Sequence, residues 1–456
     1  MPTLVERLLP PDLASLIRSQ SNGQQVWLVG GALRNHFLDL KQPDLDFAVH
    51  NRAISLARGL ADALELPCYV LDEQRDAARV VLPGRGTLDF ARLRAPSIEA
   101  DLGLRDFSMN ALAVDLDDPE RLIDPLGGLQ DLKDRVLRAC AHDSIERDAI
   151  RSLRAVRFSA SLTLRLEDQT KEQILQSAAA LSACAAERRR DELSKMLETG
   201  WMTTAMRLMR RLELLSGVLP EQAALGSDAW DRSLRIVDRL TDLMGAVAGG
   251  SEPGNLPQAE LSLRLGRHRT GLKEHLAVTL RGGHRAGQIL FFAALHSEVD
   301  DARSTVYLRA RELRYSEVEA ARARSIVRNR ERAGNLEGDI TDLGAHRYFR
   351  ECRTAAVEAV LLYLATSFAH SPPQDEWELK VNVAQKLLEA WFEDYERIVD
   401  PPRLMHGNML AAALDLRPGP IIGQLLAAIA EAQVAGRIES EQEALEFARE
   451  WLHSRS

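Results

Sequence analysis

The stretch Val26-Trp-Leu-Val29-Gly-Gly-Ala-Leu-Arg34, with Asp44-Leu-Asp-Phe-Ala-Val49 following it, decides the fold. A short apolar run stops at Gly30-Gly31, and Leu33, Phe37 and Leu40 then recur at helical spacing over 32–40. Pro43 breaks the chain, and 44–49 reads as a second strand. Working outward, 53–64 carries a helical pattern, while 68–71, 79–82 and 87–91 read as strands between polar or glycine turns. Strand and helix alternate, which predicts a mixed α/β domain over the first third of the chain.

Beyond Asp148 the texture changes to a 3.6-residue period rich in Ala, Leu, Arg and Glu. Breaks containing glycine or proline fall near 217–226, 248–257, 331–344, 371–374 and 400–402. An all-helical remainder of packed units is expected. Its 456 residues suggest about three domains, and 45% hydrophobic with 27% charged residues is ordinary globular composition that excludes dominant disorder. The 58 basic and 67 acidic residues leave a net charge of −9, so the whole molecule is no polycation and any anion recognition must come from a local cluster. Cys68, Cys140, Cys184 and Cys352 lie far apart without a Cys-x-x-Cys pair, which points away from disulfides or structural zinc and toward a cytoplasmic setting. No signal-peptide core and no membrane-length uncharged run is evident, so no membrane partner is expected.

Four features carry chemistry. Asp44 and Asp46 sit at i and i+2 of a strand, so their carboxylates share a face and invite a hard cation such as Mg²⁺; an exposed strand edge would look the same. Gly30-Gly31 between strand and helix lets a phosphate approach the backbone, with Arg34 one turn on; a tight βα turn is the alternative. Together they suggest a metal-bound triphosphate, with Asp89 a candidate third carboxylate for a proton or the metal shell. Arg105-Asp106-Phe-Ser-Met-Asn110 offers groups for a ribose and phosphates, while Gly127, Gly128 and Asp131 read as a turn and helix cap. Asp148, Arg151 and Arg154 share one helix face, where Asp148 supplies acceptors and Arg151 donors to imitate the edge of a partner base; a surface ion-pair ladder is the alternative.

In this order the motifs Val29-Gly-Gly-Ala-Leu-Arg34, Asp44-Leu-Asp46, Leu104–Ala111, Asp124–Leu132 and Asp148–Phe158 resemble the head and neck of class II tRNA nucleotidyltransferases and bacterial poly(A) polymerases. Glu187-Arg-Arg-Arg-Asp-Glu-Leu-Ser-Lys195 is similar to the next motif of that family, and the match spans about residues 25–200. The resemblance implies an α+β chain, with a polymerase-β-like nucleotidyltransferase head followed by a helical neck, body and tail. The boundaries it suggests are 1–138, 139–200, 201–330 and 331–456. It implies Mg²⁺ on Asp44 and Asp46, and nucleotide contacts from Gly31, Arg34, Arg105 and Asp106. It assigns Asp148 and Arg151 to the base of CTP or ATP, Arg154 and Arg157 to the phosphates, and the tRNA 3′ end as the partner.

Three positions depart from the family pattern. Arg147 stands where an acid usually precedes the base-reading aspartate, and Asn35 where an aspartate is usual. The link between Arg94 and Arg105 is short, whereas members that build the whole CCA end have a long segment there; this favours addition of two cytidines. In the body, Ser297 replaces the aspartate of an HD phosphohydrolase pair after His296, which leaves a packing histidine in a helical shell. The tail segment Gly407–Gly423 is loosely similar to the family's C-terminal region, a helix–turn–helix element that could meet the tRNA elbow. Rival readings are a poly(A) polymerase, a non-catalytic helical RNA-binding protein, and a transferase acting on a protein or antibiotic. The sequence leaves the oligomeric state open.

Overall fold

The computed structural model describes residues 3–41, 44–84, 86–248, 256–336, 340–417 and 419–454, so Pro43 and part of the 248–257 and 331–344 breaks lie outside the described residues. The chain divides into two compact units, Met1–Glu192 with Thr204–Val218, and Leu193–Thr203 with Leu219–Ser456.

The first unit is built on a seven-stranded sheet of order β3-β4-β5-β2-β1-β6-β7. Its strands are β1 (Val26–Val29), β2 (Asp44–Val49), β3 (Cys68–Asp72), β4 (Ala77–Leu82), β5 (Gly86–Arg92), β6 (Ala113–Asp115) and β7 (Leu122–Ile123). β2 runs antiparallel to β1 and parallel to β5, and that register sets Asp46 opposite Asp89 and Phe47 opposite Phe90. Alternation along β2 sends Leu45 and Phe47 into the core and leaves Asp44 and Asp46 on the other face. Phe47 stacks on Phe90 at 4.9 Å between ring centroids, and burying each ring contributes about 2 kcal/mol.

The helix Ala53–Leu64 buries Ala53, Leu56, Ala57, Leu60 and Ala61, the apolar stripe of a surface helix. Arg52 enters it in the left-handed region, and the Asp76 carboxylate accepts from the amides of Ala53 and Ile54, both at 2.9 Å, in place of a local N-cap. On the acid-bearing face, Trp27, Val29, Ala48 and Ala113 pack with Ile98 and Leu102 of the short helix Ile98–Gly103. One end of that face is therefore covered. The end carrying Asp44 and Asp46 is left for a cleft.

Element boundaries shift modestly from the sequence reading. The helix expected over 32–40 runs Gly31–Phe37, because Asp39 turns into the left-handed region at φ 53°. The strand expected from 79 begins at Ala77. The region after Asp148 is not wholly helical: Thr163, at φ 54°, ends the helix Ile150–Leu162, and Arg165–Leu166 then pairs parallel with Val136–Leu137.

The second unit is helical among the described residues apart from one isolated bridge between Thr279 and Arg285. His296 is fully buried there. Its Nδ1 lies 2.8 Å from the Phe292 carbonyl and its Nε2 2.8 Å from Glu221 Oε1, which Arg309 also engages, so both nitrogens are committed to packing. The helices Gly407–Ala413 and Pro420–Val434 enclose a small core of Leu410, Leu425 and Ile429 with Ala444 and Ala448; Pro418, between them, lies outside the described residues. One stretch, Asp342–Ala369, is long and apolar enough to cross a membrane, and 72% of its apolar window is buried inside the fold.

Candidate active site

The cleft of the first unit is built where β1 turns into the helix Gly31–Phe37. Gly30 takes φ +77°, and a Cβ placed there would stand 3.0 Å from Arg105 Nη1 and 3.7 Å from Asp46 Oδ2. The positive φ is what favours glycine here, while the space itself would ask only the end of the Arg105 side chain to give slightly. Gly128 has a different reason to be glycine: a Cβ would collide with the Ser108 backbone. Asp124 caps the amides of Gly128 and Leu129, and Asp131 binds Ser108 and Arg138. Gly127, which caps the helix Gly128–Lys133 at φ +72°, Gly128 and Asp131 are structural, as their sequence suggested, with Asp124 supplying the capping carboxylate.

The cleft encloses about 370 Å³, within the ~300–1,000 Å³ of small-molecule sites. It brings together Gly30, Gly31, Arg34, Asp46, Arg105, Asp106, Asn110, Asp148, Arg151 and Arg154 from motifs far apart in sequence. Asp44 and Asp89 stand beside it on β2 and β5, and Arg157 is not part of its lining. Three lining residues were missed by the sequence reading: Arg94, Phe158 and Arg188. Six arginines face three aspartates among the described lining residues, so a molecule of net charge −9 keeps a local anion-binding cluster.

Around the acids, burial raises the pKa of Asp46; Asp89 and Asp44 raise it further, and Arg105 opposes them. Asp44 accepts from the Thr87 amide at 3.0 Å and from the Thr87 hydroxyl at 2.9 Å. Asp89 receives a fork from Arg79, both bonds at 2.7 Å. Among the described residues no three His, Cys, Asp or Glu side chains are grouped to enclose a metal alone. Same-face carboxylates of one strand, with a third acid in register, are nevertheless hard donors that a divalent cation relieves. Such a cation keeps its remaining positions for water or phosphate oxygens.

The arginines are held by a network. Arg34 donates from Nη1 to Asn110 Oδ1 at 2.6 Å, and Asn35 Oδ1 accepts from its Nε and Nη2. Burial, with Arg157 next, lowers the Arg34 pKa to about 10, so it stays charged at neutral pH. Arg105 is more deeply enclosed; burial lowers its pKa, and its Nε has no hydrogen-bond partner, an orphan donor beside the glycine bend. The short link before it is ordered as the helix Ile98–Gly103, whose buried Asp101 binds Arg94 at 2.9 Å and lies 3.6 Å from Arg105.

Asp106 does not face a ligand freely. Its Oδ2 accepts from Arg154 Nε and Nη2 at 2.8 and 2.6 Å, and its Oδ1 from Asn110 and the Phe107 amide. Burial pushes its pKa up, but Arg154 and these donors outweigh it and hold the carboxyl below its ordinary value. Arg157 binds Glu192 at 2.8 Å and covers the Phe158 ring at 4.1 Å, which turns it to bracing rather than cleft contact.

Asp148 and Arg151 both line the cleft, but Asp148 sits in the turn before the helix Ile150–Leu162 rather than on it, and the two make no hydrogen bond to each other among the described residues. Arg151 donates from Nη1 to the Arg105 carbonyl and Ser144 Oγ, and from Nη2 to the Leu104 carbonyl. The Asp148 carboxylate instead receives the fork of Arg188, at 3.0 and 2.7 Å. Arg147, at the acid's usual position, pairs with Asp143 at 2.7 Å along its own turn. Arg188 was legible only as a member of the Glu187–Lys195 motif. Arg94 and Phe158 gave no separate signal, because their roles depend on folding distant segments together.

Family models match three segments. Residues 74–138 match the poly A polymerase head domain, 163–225 the probable RNA- and SrmB-binding site of polymerase A, and 350–448 the putative tRNA nucleotidyltransferase domain 2. The chain is similar to an A-adding tRNA nucleotidyltransferase of Deinococcus radiodurans, 33% identical over 93% of this chain and 95% of that protein. It is also similar to a CC-adding tRNA nucleotidyltransferase of Synechocystis sp., 29% identical over 93% of each. A solved complex of a CCA-adding enzyme with ATP shares the fold, with a TM-score of 0.67 at 20% identity, covering 99% of this chain and 98% of that one. A relative matched at this identity along nearly its whole length places the chain in the family of tRNA nucleotidyltransferases and poly(A) polymerases.

Proposed function

We propose that this chain extends the 3′ end of tRNA without a template, transferring nucleotidyl groups from CTP and stopping after two cytidines. The observation that carries the reading is the closure of Gly30, Asp46 and Arg105 around one bend that also opens toward Asp148. Asp44 and Asp46 would hold Mg²⁺, whose charge lowers the pKa of the attacking 3′-hydroxyl and offsets the charge of the pyrophosphate. The chain's own residues do the rest. Gly30 and Gly31 give the phosphates access to the backbone, while Arg105, with its unpaired Nε, and Arg34 present donors to them. Asp106 fixes Arg154 on the same wall. Asp89, held by Arg79, increases the negative field at Asp46, and Asp148 accepts from the amino group of the base.

The short, helix-closed link from Arg94 to Arg105 supports the two-cytidine product, because it is clamped at Asp101 rather than free to reshape the cleft. The four unpaired thiols fit a reducing cytoplasm. A second reading, addition of the terminal A from ATP, is favoured by the Deinococcus relative, whose name is A-adding. Offering each nucleoside triphosphate singly to a tRNA transcript lacking its last three residues, and to one ending in CC, separates these. CTP is expected to give a product two residues longer; a single A added only to a CC-ended transcript would establish the second reading, and a long A tract a poly(A) polymerase.

A further inference from the structure

We propose that Phe158 is a positioning residue for nucleotide binding, whose ring gathers Arg34, Arg154 and Arg157 into a preformed seat for the triphosphate. The inference rests on the nucleotidyl-transfer reading above and adds to it a residue that acts through others.

Three observations carry it. First, three guanidiniums converge on one ring. The Cζ atoms of Arg157, Arg34 and Arg154 stand 4.1, 4.9 and 5.6 Å from the Phe158 centroid, inside the ~6 Å reach of a cation–π contact. Arg154 lies one turn before the ring on the same helix face, whereas Arg34 arrives from the helix Gly31–Phe37. Second, the acids that bind this group are fewer than the cations. Asp106 takes Arg154, while Glu192 takes Arg157 at 2.8 Å and stands 3.7 Å from Arg154. The Arg34 guanidinium donates to the side-chain amides of Asn35 and Asn110, which carry no charge. Burial first, then Arg157 and more weakly Arg154, lower its pKa to about 10, so it feels its like-charged neighbours. Third, Phe158 is 5% exposed, lines the cleft beside Arg34 and Arg154, and meets the Phe107 ring edge to face at 6.0 Å.

Like charges crowded on one wall repel, and in an empty cleft such side chains swing apart toward water. The face of an aromatic ring is negative, so it attracts each cation, and more strongly where water is excluded. The ring brings no formal charge. A carboxylate in its place would also gather the arginines, but it would neutralise them and repel the triphosphate. Phe158 therefore keeps the cations together with their charge unspent, and the nucleotide does not have to order them as it binds. Arg34 and Arg154 face the cleft, while Arg157, held by Glu192, backs the ring from outside the lining.

The alternative is that the ring only fills the core beneath the helix Ile150–Leu162. Replacing Phe158 by mono-, di- and trifluorinated phenylalanine separates the two, because fluorine drains the negative ring face while nearly keeping its size and apolar character. Calorimetric titration with inorganic triphosphate and Mg²⁺, and with CTP and UTP, reads the seat without transfer. Affinity for all three is expected to fall stepwise with fluorine content, by roughly fivefold in the trifluorinated protein. The ratio of CTP to UTP affinity and the melting temperature stay near those of the unaltered protein. In extension of truncated tRNA the same series should raise KM and leave kcat nearly unchanged, the mark of lost ground-state binding. Phe158→Leu, which keeps apolar bulk without a π face, is expected to lose at least as much affinity as the trifluorinated protein. A flat fluorine series with a loss confined to Phe158→Leu would reduce the ring to packing and overturn the proposal. So would a loss for CTP that inorganic triphosphate does not share, or no binding of triphosphate by the unaltered protein. A stepwise loss upholds the proposal even if no tRNA is extended, and that failure then falls on the function alone.

Discussion

At the scale of single residues, the account depends on Gly30 and the acids next to it. Gly30→Ala forces an L residue to φ +77° and sets a Cβ 3.0 Å from Arg105 Nη1. That backbone, with φ 77° and ψ −129°, belongs to a region nearly confined to glycine and costs an alanine about 1–3 kcal/mol. The expected outcome is a lower melting temperature together with a raised KM for the nucleotide; a variant with unaltered KM would show that the bend does not approach the phosphates. Asp44→Ala and Asp46→Ala should each lower turnover at least about a hundredfold, a loss of ~3 kcal/mol in barrier reduction, with circular dichroism unchanged. Turnover near that of the unaltered protein in both would remove the metal from these acids. The acids and the glycine pair were legible because their spacing along a strand and at its end has direct geometric consequences. Arg188 was not legible as a site residue, because only the folding of the helix Ala186–Ser194 beside the turn at Asp148 brings its fork there.

At the scale of elements, the helix Ile98–Gly103 acts as a clamp. Its Asp101 is 2% exposed, accepts from Arg94 Nε at 2.9 Å and stands 3.6 Å from Arg105, and these partners hold its carboxyl below the ordinary range against the effect of burial. Asp101→Asn leaves two arginines crowded without their shared anion. We expect a stability loss of about 2 kcal/mol by urea unfolding, from the loss of a buried charged hydrogen bond, and a several-fold weaker nucleotide affinity. Full affinity with reduced stability would make the clamp purely structural. The sequence reading marked this segment for its length and not for its contacts, since nothing in Ile-Glu-Ala-Asp-Leu-Gly announces which arginines it will meet. The helix Ile150–Leu162 was more legible: its arginines recur on one face, while Ile150, Leu153 and Val156 are buried. What the pattern did not show is that Arg157 turns to Glu192 and Arg151 to the backbone.

At the scale of the whole molecule, the two units have separate sources of stability. In the helical unit the Glu319 carboxylate is wholly enclosed and accepts from Ser316 and His284. Burial would raise its pKa, but the hydrogen bonds from His284 and Ser316 lower it to about 2. A depressed carboxylate contributes its full stability above its unfolded pKa of about 4.5 and loses it as pH falls toward 2. Urea unfolding of the unaltered protein should therefore lose about 2 kcal/mol more between pH 7 and pH 3 than Glu319→Gln does. Parallel losses in both would assign the acid sensitivity elsewhere. The division into a sheet-bearing first part and a helical remainder followed from the change of hydrophobic period near residue 148, whereas the short parallel pair at Arg165–Leu166 was too brief to leave a pattern. The central claim is that Asp44 and Asp46, beside the glycine bend, hold a metal-loaded triphosphate. Calorimetric titration of CTP with and without Mg²⁺ tests it most directly. The account predicts that Mg²⁺ tightens CTP binding in the unaltered protein and that Asp44→Ala and Asp46→Ala abolish this gain; a gain that survives both substitutions, or is absent from the start, would contradict it.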